Sequence, residues 1–165
     1  MGKNKLIHAL DETDKTILRL LQQDGSMSTL RLAEQVSLSV TPCWRRLKRL
    51  EEEGYIRDYQ ANLDRRKLGF DVLAFISVRF GQVGGQEPDH FDQLVRQNPQ
   101  VLYCHKVTGD ADYLLQVVAE NLDDYGRFVE MLRHIPGVYA IHSNLALGEI
   151  KASSRLPVPG VASPD

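Results

Sequence analysis

The sequence predicts an α+β chain of two parts, on three observations. Two short amphipathic helices joined by a tight turn occupy residues 29–36 and 39–53. A strand–helix–strand pattern then occurs twice in the second half, at an offset of 37 residues. Charge divides along the same boundary. Residues 1–70 carry 13 Lys/Arg against 10 Asp/Glu, and residues 71–165 carry 7 against 12, so a net charge of −2 conceals a basic part joined to an acidic one. The expected divisions are 1–60 for the basic unit, 61–71 for a hinge strand, 72–151 for the acidic unit and 152–165 for a tail.

Composition narrows the class. A hydrophobic content of 42% and a charged content of 25% are those of a globular protein, and no apolar run approaches the roughly 20 residues of a membrane span. The opening MGKNKLIHALDETD has no apolar signal-peptide core, and Gly2 alone does not make a myristoylation site. Cys43 and Cys104 are single and far apart, which suits a reducing cytoplasm and gives no metal-ligand cluster. The expectation is a cytoplasmic protein without metal or cofactor and without a membrane partner.

In chain order, the first helix is expected over residues 10–24. Asp11 caps it, Asp14 favours its dipole, and Ile17, Leu18, Leu20 and Leu21 form its apolar stripe, with Asp24-Gly25 as the stop. Ser28 caps the second helix, which turns Leu30 and Ala33 inward together with Leu32 and Val36. Ser37-Leu38-Ser39 leaves about three residues before the third helix, so the pair reads as a helix-turn-helix. In the third helix Ser39 caps, Pro42 is tolerated in the first turn, and Gly54 ends the run. At 100° per residue, Val40, Cys43, Leu47 and Leu50 share one side, with Trp44 at its edge. Thr41, Pro42, Arg45, Lys48 and Arg49 share the other, with Arg46 on the flank. Residues 39–49 hold four bases and no acid.

Such a face fits the DNA major groove, with Thr41, Arg45, Lys48 and Arg49 as contacts and Ser39, Pro42 and Arg46 setting the approach. An ordinary helical hairpin is the plainer reading, against which the basic outer face argues. Residues 54–64 alternate as a short strand, a wing or hinge, in which Tyr55, Arg57 and Tyr59 share one side. Arg57, Arg65 and Arg66 either reach phosphates or lie in a solvated linker.

The repeat sets FDQLVRQNPQVLYCH (91–105) over FVEMLRHIPGVYAIH (128–142). Each copy is a helix broken by proline, then a strand. Each is preceded by another strand, at 72–80 and 112–119. The order βαββαβ predicts a ferredoxin-like sandwich, an antiparallel sheet with helices on one face. The bare face requires a cover, and a second copy of the chain is the expected one. The Pro- and Ser-rich tail is expected to be mobile toward its end.

Catalytic and metal readings find little support. His8, His90, His105, His134 and His142 have no Cys or carboxylate at ligand spacing. Cys104 and His105 are strand neighbours and point to opposite faces. The stretch GQVGGQ (81–86) lacks the Walker lysine and reads as a loop, and Asp123-Asp124 suit a helix start.

The motifs LDETDKTILRLLQQDG (10–25), LAEQVSLSVTPCWRRLKRLEEEGYI (32–56) and VTGDADYLLQV (107–117) resemble the leucine-responsive/asparagine-regulator (Lrp/AsnC) family of transcription factors. The resemblance covers about residues 10–151. It implies an N-terminal winged helix-turn-helix, a C-terminal ferredoxin-like domain of the RAM type that senses amino acids, and homodimers assembling further, commonly to octamers. The family's amino-acid site, carried over by motif, implies Lys106, Gly109, Asp110, Asp112 and Tyr113, completed by Leu122, Asn144, Leu145 and Ala146. Loop N–H groups around Gly109 would take a carboxylate and Asp112 an ammonium. The plainer reading makes Gly109-Asp110 a β-turn that Asp112 caps. Asn144 departs from the family pattern, where a larger or aromatic residue often stands, which leaves the ligand open among branched-chain, other small neutral amino acids and cysteine. The expected function is a DNA-binding regulator of amino-acid metabolism genes whose partners are double-stranded DNA, a small amino acid and its own copies. The alternative is a small amino-acid sensor or metabolic enzyme whose helix-turn-helix is structural.

Overall fold

The computed structural model describes residues 10–81 and 89–159. They form two compact units, one of residues 10–62 with 152–159, the other Leu63–Lys151. His8 and most of the GQVGGQ stretch lie outside the described residues.

The first unit holds α1 (Glu12–Gln23), α2 (Thr29–Gln35) and α3 (Val40–Glu52). Asp11 and Asp14 close a reciprocal capping box. The Asp14 N–H donates to Asp11 Oδ1 at 2.8 Å, and the Asp11 N–H donates to Asp14 Oδ2 at 3.3 Å. Ser28 caps α2 by accepting from the Arg31 N–H at 3.3 Å. Ser39 holds the cap position of α3 yet makes no side-chain capping bond. A serine cap serves the N–H groups of the second or third helical residue, and the third here is Pro42, which has none. Gly54 ends the helix with φ +80, a left-handed turn that glycine adopts without strain.

Ile17, Leu32, Ala33, Cys43 and Leu50 form the core of this unit. Two residues expected on the inward sides, Leu30 and Val40, are exposed instead, and Trp44, expected at the edge of the apolar side of α3, is 52% accessible. A two-turn α2 is too narrow to cover Val40 and Trp44. The wing strand is absent as well. Residues 57–64 form no strand, and 65–69 form turns. Tyr59 donates its hydroxyl to Glu51 at 3.0 Å, and Arg65 donates to the carbonyls of Phe70 and Asp71 at 2.7 and 3.0 Å, bracing its own turn. An alternating pattern becomes a strand only with a partner, and the described residues offer none. The tail does not stand apart at Leu156, which hydrogen-bonds to Gln22 of α1.

The second unit runs β1 (Val72–Phe80), α4 (Asp89–Gln97), β2 (Val101–Lys106), β3 (Tyr113–Ala119), α5 (Leu122–Arg133) and β4 (Val138–Leu145). The sheet order is β2-β3-β1-β4, and all pairs are antiparallel. This is the ferredoxin-like sandwich that the repeat predicts. Asn121 caps α5, and Asp123 and Asp124 lie in its first turn. Phe91, Val95, Phe128 and Leu132 from the helices bury against Ala74, Ile76, Val78, Leu115 and Val117. The opposite face carries a row in which Gln116 pairs with both Tyr103 and Phe75, and Phe75 pairs with Asn144. Phe75, Tyr103 and Leu114 are exposed there.

Candidate DNA interface and effector site

Thr41, Pro42, Arg45 and Lys48 are exposed on α3, and Ser39 is exposed just before it. Trp44 and Val40 are exposed as well. The four bases of the helix have different environments. Arg46 Nη1 donates to Asp11 Oδ2 at 2.6 Å and to Asp14 Oδ1 at 2.9 Å. Arg49 Nη2 donates to Asp14 Oδ2. Lys48 Nζ lies 3.9 Å from Glu51 Oε2. Arg45 forms no ion pair among the described residues. The helical wheel places Arg49 with Arg45 and Lys48, but the structure turns its guanidinium, like that of Arg46, toward α1. Sequence reasoning missed Asp14 as their partner, and the signal was a pair of acids, Asp11 and Asp14, facing a pair of arginines at matching i,i+3 spacing. The Asp14 N–H and then the Arg46 guanidinium hold the Asp11 carboxyl below its ordinary 3.8, and the two carboxylates raise Arg46. Burial pushes the Cys43 thiol up, as expected of a small core residue.

The nine residues expected for the effector fall into two groups. Lys106, Gly109, Asp110, Asp112 and Tyr113 lie at one end of the sheet, where Tyr113 pairs with Val78. Asn144, Leu145 and Ala146 lie at the other, where Leu145 pairs with Ala74 and the Ala146 N–H donates to Leu73 O at 2.8 Å. Leu122, exposed at the start of α5, follows the β3 residue that pairs with Val72, and so belongs to that second end. Four residues along β1 separate the groups, roughly 13 Å at about 3.3 Å per residue. One chain does not bring the nine together.

Within the first group, Gly109 has φ +110 and turns the loop. Asp112 Oδ2 accepts the Phe80 N–H at 2.7 Å, so this carboxylate braces the loop against β1 as well as facing solvent. Tyr113 is buried and donates its hydroxyl to Asp92 Oδ1 at 3.0 Å. Lys106 Nζ sits 3.2 Å from Asp92 Oδ2 and 5.5 Å from the centroid of the Tyr113 ring. Asp92, which no sequence motif marked, thus organises both. Burial is the main cause of the raised Tyr113, and the Asp92 hydrogen bond is that of the raised Lys106. An open groove of about 620 Å³ runs between α4 and β2 over Asp92, Arg96, Cys104 and Lys106. Burial and then Asp92 push the Cys104 thiol above its ordinary value. Among the described residues no group of three or more His, Cys, Asp or Glu could hold a metal ion, and no helix is long and apolar enough to cross a membrane.

A three-helix unit with a basic, exposed third helix, joined to a ferredoxin-like unit, has the architecture of a helix-turn-helix transcriptional regulator. Comparison with known proteins gives the family. Residues 10–57 match the winged helix-turn-helix DNA-binding family and residues 73–156 match the Lrp/AsnC ligand binding domain. The chain is 42% identical over 150 residues to the Bkd operon transcriptional regulator of Pseudomonas aeruginosa, covering 90% of this chain and 98% of that one. It is 36% identical to the DNA-binding transcriptional activator DecR of Escherichia coli K12, covering 90% and 99%. Among solved structures, a Neisseria meningitidis transcriptional regulator in complex with L-methionine superposes with a TM-score of 0.87 at 38% identity, over 92% of this chain and 98% of that one. The feast or famine regulatory protein of M. tuberculosis complexed with L-methionine gives 0.83 at 26% identity, over 92% and 100%. The chain belongs to the Lrp/AsnC family of transcriptional regulators. These relatives are regulators and not enzymes, so the metabolic-enzyme alternative falls away.

Proposed function

We propose that this regulator reads double-stranded DNA with Thr41, Arg45 and Lys48, approached over Ser39 and Pro42, and responds to a small amino acid held between copies of the chain in the cytoplasm. The observation that carries the DNA reading is Arg45, exposed on α3 without an acidic partner among the described residues. An arginine fork so placed can bind guanine O6 and N7 bidentately. Arg46 and Arg49 set the helix on α1. Assembly follows from the sheet face bearing Phe75, Tyr103 and Leu114, whose burial on a second copy gives a homodimer; further association would give the octamer.

The effector reading follows from the separation of the two groups. Gly109 to Tyr113 and Asn144 to Ala146 lie too far apart in one chain to clasp an amino acid, and only another copy could bring the two ends together. A ligand held there shifts assembly by its difference in affinity between packings. Two similar structures hold L-methionine, which adds methionine to the small neutral candidates. A thermal-shift screen of the twenty amino acids on the parent, Asp110→Ala and Asn144→Ala tests this. One amino acid should stabilise the parent and neither variant. Equal stabilisation of all three would place the ligand elsewhere, and no response at millimolar ligand would contradict the effector reading.

A further inference from the structure

We infer that Asp14 is a positioning residue for DNA reading, a buried carboxylate beneath the recognition helix that fixes α3 on α1 and withholds Arg46 and Arg49 from the phosphates. The inference rests on the DNA reading of α3 above.

Asp14 is 1% exposed, the one buried charged side chain among the described residues. Both of its oxygens are hydrogen-bonded. Oδ1 accepts from Arg46, and Oδ2 accepts from Arg49 and from the Asp11 N–H. A buried carboxylate is tolerable only when paired and hydrogen-bonded in this way. Arg46 and Arg49 are i,i+3 neighbours, so both reach the same side of α3, and that side meets α1. Arg46 carries a second bond to Asp11. Four bases on α3 thus divide into two groups. Arg46 and Arg49 are neutralised from behind by the buried Asp14, while Arg45 and Lys48 face outward, Lys48 with only a solvent-exposed 3.9 Å contact to Glu51 that a phosphate can displace.

Two consequences follow. Guanine recognition by Arg45 needs its fork held in a fixed geometry, which the carboxylate–guanidinium lock supplies to the helix that bears it. Each phosphate neutralised on DNA adds about 0.9 to the slope of log K against log salt. The helix should therefore show the slope of two available cations rather than four.

The test uses the full chain, an operator selected from a random DNA pool, and unrelated DNA, with affinity followed over a salt series. Lys48→Gln should flatten the slope by about 0.9, whereas Arg49→Gln should leave the parental slope. Asp14→Asn, checked for parental helix content, should steepen the slope by about one to two as the arginines are released. It should also lower the ratio of operator to unrelated affinity about tenfold or more, the loss of roughly one base contact. A merely structural role would lower the active fraction at every salt concentration and leave the slope unmoved. The inference is overturned if Arg49→Gln flattens the slope as much as Lys48→Gln does, or if folded Asp14→Asn keeps the parental slope and ratio. Should Asp14→Asn not fold, the Arg49→Gln and Lys48→Gln pair decides alone. Arg45→Ala separates the two claims. If it loses operator preference while Asp14→Asn does not, only the positioning role fails; if Arg45→Ala keeps that preference, the DNA reading fails and this inference with it.

Discussion

The Gln22 side chain and the Leu156 backbone meet as two peptide groups do in a sheet. The Leu156 N–H donates to Gln22 Oε1 at 2.6 Å, and Gln22 Nε2 donates to Leu156 O at 3.0 Å. The pair fixes the C-terminal segment on α1 just before Pro157. Two exposed hydrogen bonds of this kind contribute about 0.5–1.5 kcal/mol each. Gln22→Ala should therefore leave the helices folded while the Leu156 amide exchanges faster and proteases cut sooner within residues 152–159. Unchanged exchange and cleavage would show that something else holds the tail.

The Asp11–Arg46 pair predicts a pH dependence with a definite sign. Asp11 titrates below its ordinary 3.8 in the folded state, so its charge contributes stability that is present above 3.8 and lost as pH falls through the lower folded value. Asp11→Asn keeps a capping side chain and removes the charge. The stability gap between parent and variant should be constant from pH 7 down to about 5, where the carboxyl is ionised in both states, and should close in the acid range below 3.8. Urea unfolding followed by the fluorescence of Trp44, the only tryptophan, measures this gap. A gap that changes between pH 5 and 7 would contradict the assignment.

The bare sheet face makes its own prediction. Phe75→Glu places a charge between Gln116 and Asn144, where the proposed second copy would bury it. Light scattering at micromolar concentration should find the parent as a dimer or larger and the variant as a smaller species with an unchanged circular dichroism spectrum. A monomeric parent would contradict assembly through this face.

These residues also show what could be read from the chain alone. Capping residues and stop signals act locally, so Asp11, Ser28 and Gly54 mark their helices correctly, and the repeat delivers the order of the sheet elements because each copy carries the same pattern. Alternation at Tyr55, Arg57 and Tyr59 reads as a strand, yet a strand requires a partner and the pattern carries no information about one. The helical wheel tells which residues of α3 share a side, but not how wide a surface α2 offers, so Val40 and Trp44 come out exposed. Nor does it reveal that Arg49 is claimed by Asp14, 35 positions earlier. The two ends of the effector reading come apart for a similar reason. The register that pairs Tyr113 with Val78 and Leu145 with Ala74 is a property of the folded sheet.

The central claim is that Arg45, exposed on α3 and free of acidic partners among the described residues, reads a base. The most direct measurement is the affinity of parent and Arg45→Ala for a selected operator and for unrelated DNA at one fixed salt concentration. The variant should lose about 1–3 kcal/mol on the operator and far less on unrelated DNA, so that sequence preference flattens. An Arg45→Ala protein that binds the operator as tightly as the parent would contradict the account.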